Sequence, residues 1–128
     1  MILDSSAIVA VVLREPGFES IVSKLAAAKA LAVGAPTLAE TGIVLTARLG
    51  KDARGLLQGL LREWQAETVV FGDEHWRTAV AAYAQFGRGR HKAQLNFGDC
   101  LSYAVAKLAG EPLLSTGSDF TKTDLPLA

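Results

Sequence analysis

Four short apolar runs, Ile2-Leu3, Leu31 to Val33, Thr68 to Phe71 and Pro112 to Leu114, are separated by segments with helical spacing. Strands alternating with helices in this order predict an α/β domain with a mainly parallel sheet and helices on both faces. In such a sheet the C-terminal ends of the strands open onto one edge, where loops and helix starts form a crevice. Residues a hundred positions apart can meet there, so the residues just after the strands and at the helix starts are where chemistry is to be sought.

The helices read as follows. Asp4-Ser5-Ser6 opens an apolar run ending near Arg14, before Pro16-Gly17, and a second helix spans Phe18 to about Lys29. Pro36-Thr37 opens a third, from Leu38 to about Leu49, and the fourth covers Asp52 to Gln65 with Leu56, Leu57, Leu60, Leu61 and Trp64 at helical spacing. A fifth is capped at Asp73 and runs to Phe86. The sixth follows Asn96-Phe97-Gly98-Asp99 and is stopped by Gly110. The stretch Gly87-Arg88-Gly89-Arg90-His91-Lys92 has no acid and little hydrophobicity, and is expected to be an exposed loop.

The 128 residues, half of them hydrophobic, fit one domain over 1–128 with one sizeable core. The longest apolar run near the start is Ala7 to Leu13, too short and too poorly flanked for a signal peptide or membrane span. With a single cysteine, Cys100, and no export signal, the expected location is the reducing cytoplasm. Two histidines and one cysteine spread along the chain argue against a structural zinc site.

Asp4, Glu40, Asp99 and Asp119 each follow a strand-like run or open a helical stretch. The ordinary reading of each is a helix cap: Asp4 for the first helix, Thr37 with Glu40 as a capping box, Asn96 with Asp99 as its near relative, Asp119 for a final short turn. Taken together they suggest a metal site, because a carboxylate can offer one oxygen to its own backbone and the other to the crevice. Two unit negative charges at about 4 Å repel by about 4 kcal/mol near a protein surface, so such a cluster needs a cation. All-oxygen ligation suits Mg²⁺ or Mn²⁺. Formal charge is zero, but setting these four acids aside leaves nine against 13 basic residues, an excess that permits a basic working face. Arg88, Arg90, His91 and Lys92, just ahead of Asp99, are candidates for phosphate contact; the alternative is a solvated loop. Cys100 reads as a core cysteine, and His75, beside Trp76, as packing or surface.

Four segments carry a resemblance to a known family. Met1-Ile2-Leu3-Asp4-Ser5-Ser6-Ala7, Pro36-Thr37-Leu38-Ala39-Glu40, Leu95-Asn96-Phe97-Gly98-Asp99-Cys100 and Leu113-Leu114-Ser115-Thr116-Gly117-Ser118-Asp119-Phe120 resemble the PIN-domain ribonucleases, and within them the VapC-type toxins of bacterial toxin–antitoxin pairs. The resemblance implies a three-layer α/β/α sandwich, a homodimer, Mg²⁺- or Mn²⁺-dependent cleavage of RNA such as tRNA or another structured RNA, and an antitoxin that blocks the site. On matching positions it implies Asp4, Glu40 and Asp99 as metal ligands, Asp119 as the fourth acid, and Ser6 and Asn96 as supporting polar residues. Many PIN domains place the fourth acid two residues after a Thr or Ser, which falls on Gly117 here; related toxins also carry the Gly-x-Asp-Phe string. Asp119 is therefore expected to act on a second ion or through a water, and Asp4 and Asp99 to bind directly.

Two other functions compete. A phospho-aspartate phosphotransferase also uses an acid after the first strand, but normally wants a second acid two residues on, where this chain has Ser6. A non-cleaving PIN-like module that binds RNA or protein would have been favoured by loss of one of the acids. Ile43, Leu49, Leu56, Leu60 and Trp64 offer either core packing or an apolar surface for a second copy or an antitoxin.

Overall fold

In the computed structural model, which describes residues 1–128, four strands pair in parallel: β1 (Ile2–Leu3), β2 (Ala32–Gly34), β3 (Glu67–Val69) and β4 (Leu113–Leu114). Their spatial order is β3-β2-β1-β4. The helices are α1 (Ser5–Leu13), α2 (Phe18–Ala27), α3 (Ala35–Leu49), α4 (Arg54–Glu63), α5 (Asp73–Phe86) and α6 (Phe97–Ala109), with a short 3-10 turn at Asp119–Lys122.

Two-residue alternation divides the core. Ile2 and Leu113 pair across β1 and β4 and pack with α5 and α6, through Ala82, Phe86, Tyr103 and Val105; Phe120 and Leu125 close that side. Leu3 and Leu114, the next pair, face the opposite layer with Ala7, Ile8, Ile21 and Leu25 of α1 and α2. Both faces are covered at β1 and β4, which is why those strands read as short continuous apolar runs rather than as alternating ones. The outer side of β4 is covered by the C-terminal residues: Leu113 N–H donates to Pro126 O and Ala128 N–H to Leu113 O. No helix is long and apolar enough to cross a membrane.

Three starts differ from the sequence expectation. The third helix begins at Ala35, with Gly34 as N-cap and Pro36 in the first turn, because proline has no N–H to lose there. Thr37 is therefore inside the helix and Glu40 a turn further on, and the expected Thr37–Glu40 capping box does not form. The fifth helix is capped at Gly72 rather than Asp73, the His75 Nδ1 accepting the Gly72 N–H at 3.1 Å. The fourth starts at Arg54, whose N–H and guanidinium both turn back to Asp52. β2 and β3 are offset by one or two residues from the expected runs.

Of the apolar residues singled out on α3 and α4, Ile43 is 71% exposed, Leu49 and Leu56 are also exposed, and Leu60 and Trp64 are half-buried, Trp64 against the α1–α2 side of the core. Leu49, Leu56 and Leu60 line an open groove of about 460 Å³ with Val11, Val12, Arg14 and Lys51.

Candidate active site

The strand order reverses at β1, which lies between β2 and β4, and the crevice at that switch point is bounded by whatever follows those strands. Asp4 follows β1 and caps α1. It is only 5% exposed, and both oxygens are engaged: Oδ2 accepts from the Ser6 N–H at 3.1 Å and from its hydroxyl at 2.6 Å, and Oδ1 accepts from Ser102 Oγ at 2.6 Å. Ser102, itself buried, spends its proton on Asp4 and so can accept from the Thr37 hydroxyl, 3.3 Å away. Ser6 Oγ accepts the Thr116 N–H at 3.0 Å, tying the loop after β4 to the start of α1. Three donors fix the direction of this buried carboxylate.

Ser102 and Thr37 were missed as site residues. Ser102 is three residues after Asp99 on one helix face, in an otherwise apolar stretch, and that isolated hydroxyl was the available signal. Ser102→Ala is expected to lower stability by about 1–3 kcal/mol, the cost of leaving a buried acceptor without its donor. Urea denaturation of the variant checks this; an unchanged midpoint would mean that the contact is energetically neutral.

Asp99 lies in the first turn of α6, in a reciprocal box: its N–H donates to Asn96 Oδ1 at 2.9 Å, and its Oδ2 accepts the Asn96 N–H at 3.1 Å. Burial first, and then the negative charges of Asp4, Asp119 and Glu40, push its pKa up from 3.8 to about 6, against the lowering effect of the Asn96 N–H. The three other acids thus share its neighbourhood. The folded chain holds this proton more tightly than the unfolded one. Without a cation the group therefore favours folding fully below its ordinary pKa, and that contribution is lost as pH rises through about 6.

Glu40 is half-buried, and its carboxylate lies against Gly98: a Cβ built on that glycine would overlap Glu40 Oε2 and come within 3.0 Å of Cδ. Asp119 is exposed at the first residue of the 3-10 turn, after Gly117 in the left-handed region at φ 77°. Ser118, not Asp119, occupies the cap position, so the simple cap role expected for this acid is not the one it takes.

None of the four acids is ion-paired; the three salt bridges involve Glu111, Asp52 and Asp124. No three acid, histidine or cysteine side chains already close on one point as a ligand group. The donor chemistry nevertheless fits a hard divalent ion, since the group is all oxygen, carries mutual repulsion visible at Asp99, and has no lysine or arginine to relieve it.

The loop before α6 is pinned at its base, with Arg88 N–H donating to Leu95 O at 3.0 Å and Leu95 N–H to Phe86 O at 2.9 Å. Arg88, Arg90 and Lys92 are exposed. Arg90 lies over the Tyr83 ring at 5.7 Å. His91 is turned inward instead: its Nδ1 accepts the Ala93 N–H at 3.0 Å, and its ring packs edge-on against Phe86 at 5.2 Å. Gly87 is needed because a Cβ there would overlap the Tyr83 backbone carbonyl and meet the Tyr83 ring at 2.8 Å. Cys100 is buried in the core, its thiol pushed up to about 11 chiefly by burial, so no thiolate is offered as a nucleophile.

The sequence profile of the PIN domain matches residues 1–125. The chain belongs to the PIN-domain family, among the VapC ribonucleases. It is 45% identical to Ribonuclease VapC36 of Mycobacterium tuberculosis over 126 residues, covering 98% of this chain and 91% of that one. To Ribonuclease VapC30 of the same species it is 37% identical over 125 residues, covering 98% and 95%. This PIN domain also superimposes on the crystal structure of M. tuberculosis VapC20, a sarcin-ricin loop cleaving toxin, with a TM-score of 0.80 at 15% identity, covering 99% and 97% of the two chains. VapBC2 from Rickettsia felis, bound to a promoter DNA fragment, matches with a TM-score of 0.72 at 15% identity, covering 99% and 96%. At that identity the structural matches establish the α/β/α fold, and the sequence relatives establish the ribonuclease family.

Proposed function

We propose that this VapC-type PIN domain is the toxin of a toxin–antitoxin pair, an endoribonuclease that hydrolyses phosphodiester bonds in tRNA or another structured RNA in the cytoplasm, using Mg²⁺ or Mn²⁺ held by Asp4, Glu40, Asp99 and Asp119. The observation that carries this is Asp99, an acid at a sheet-edge crevice raised by burial and by three other carboxylates with no cation paired to any of them. A divalent ion bound there supplies an activated water and positive charge for the phosphate and leaving oxygens. Asp4, aimed by Ser6 and Ser102, and Asp99, aimed by Asn96, would hold the ion directly, and Glu40 would add charge beside Asp99. Asp119, exposed on the turn after Gly117, acts at the outer side. No side chain serves as nucleophile. A phospho-aspartate enzyme normally carries a second acid two residues after the first, and that position is Ser6 here, which speaks against a covalent intermediate on Asp4.

Arg88, Arg90 and Lys92 position the RNA backbone. Changing all three to Ala is expected to weaken RNA binding and to reduce its salt dependence, with the melting temperature and metal affinity unchanged. Binding measured across a salt series decides this, and an unchanged slope returns the loop to a solvated role. His91 serves the same face by shaping the loop.

Protein partners are supported by apolar side chains left in water: Ile43, Leu49 and Leu56 on α3 and α4, and Trp76, Val80 and Tyr83 on one stripe of α5. We assign these surfaces to an antitoxin and to a second copy of the chain. The test of the function is cleavage of cellular RNA by purified protein, with Mn²⁺ or with chelator, beside Asp99→Asn. Metal-dependent fragments absent from the variant are expected; cleavage that survives chelation or the substitution contradicts the reading.

A further inference from the structure

We infer that Phe97 is a substrate-positioning residue, its ring stacking on an unpaired base of the RNA next to the cleaved bond. The inference rests on the nuclease reading above and adds what the site recognises. Helical spacing from Phe97 to Cys100, Leu101 and Ala104 would place it on the buried face of α6, yet its side chain is 81% exposed, the most exposed large hydrophobic in the chain. At the first residue of the helix nothing covers that face.

Its neighbours say what could. On one side the Asn96 and Asp99 N–H groups each donate to the other's side-chain oxygen, which fixes the Phe97 backbone between them, and Gly98 lies against the Glu40 carboxylate. On the other, Leu95 is fully buried and bonded to the Arg88 N–H, so the base of the cationic loop is two residues away. Arg88, Arg90 and Lys92 form no salt bridge. A lone exposed aromatic ring on a fixed backbone, two residues from Asp99 and from the base of a loop of unpaired cations, is complementary to a nucleotide: phosphate on the cations, base on the ring. A protein partner would instead meet polar and charged groups around a single ring. Stacking is sequence-tolerant, because every base has a π face, and is denied to a base inside a duplex.

The probe is a single-stranded RNA of about a dozen nucleotides and the blunt duplex made from it, with binding measured on the uncleaving Asp99→Asn protein. Preference for the single strand is expected. Adding Phe97→Ala should weaken single-strand binding by about tenfold to a hundredfold and equalise the two RNAs, with the salt slope and melting temperature unchanged. Phe97→Trp should retain the preference and Phe97→Leu should not, since stacking requires a ring and mere apolar contact does not. Four results overturn the inference: binding unaffected by Phe97→Ala, full retention by Phe97→Leu, no single-strand preference in the parent, or a loss that coincides with dissociation of a dimer in light scattering, which would make Phe97 a protein contact. RNA cleavage by the wild type is scored separately, so that intact cleavage without stacking removes this inference alone, and absent cleavage removes the functional reading beneath it.

Discussion

Asp99→Asn is expected to abolish RNA cleavage at every Mn²⁺ concentration, whereas Asp119→Asn is expected to keep a weak activity that rises as Mn²⁺ is added. The difference follows from how each acid is held. Asp99 is fixed by a reciprocal box with Asn96, and the charges of all three other acids act on it. Asp119 is exposed on a four-residue turn entered through a left-handed glycine. Losing a group that acts through a water or on the outer side typically lowers metal affinity or activity by about 10–100-fold, which added metal can partly restore. Cleavage rates over a Mn²⁺ series distinguish the two. Equal, unrescuable loss in both variants would make Asp119 a direct ligand; wild-type behaviour of Asp119→Asn would leave it no role in the chemistry.

Gly98→Ala is expected to lower cleavage by about 10–100-fold without unfolding the protein. The added Cβ falls on the Glu40 carboxylate, the far end of a flexible side chain, so the acid moves and the backbone does not. Alanine is also favoured over glycine inside a helix by about 1 kcal/mol. The variant should therefore be as stable as the parent or slightly more so, while Glu40 no longer faces Asp99. Thermal melts alongside cleavage rates check both halves. A large fall in melting temperature would show that the helix yields instead of Glu40, and undiminished cleavage would show that the Glu40 position is immaterial.

The layered fold was legible because β1 and β4 are unbroken apolar runs between helical patterns, buried on both faces; β3, at the sheet edge, is Glu67-Thr68-Val69 and its first two residues are exposed, so its register was the harder to place. The acids were legible because they follow strands or open helices. Register was less so. Thr37-x-x-Glu40 matches a capping box, but Pro36 lets the helix begin earlier, and the hydroxyl goes to Ser102 instead. Ser102 itself carries no periodic signal: a single hydroxyl in an apolar helix looks the same whether it meets a carboxylate or a backbone carbonyl. In the sequence His91 groups with the cations beside it, yet its ring packs on Phe86 and its Nδ1 accepts the Ala93 N–H, contacts that no local pattern announces. The closeness of Gly98 to Glu40 joins positions 58 residues apart and has no local trace.

The central claim is that the carboxylate cluster holds a divalent cation, and Mn²⁺ binding followed by electron paramagnetic resonance across pH tests it most directly. Asp99, raised to about 6, must lose its proton to bind, so saturable binding is expected at pH 7.5 and should weaken as pH falls through about 6, by up to about tenfold per unit for one competing proton. In Asp99→Asn binding should be absent. Mn²⁺ affinity that is flat between pH 5 and pH 7.5, or equal in the wild type and Asp99→Asn, would contradict the account.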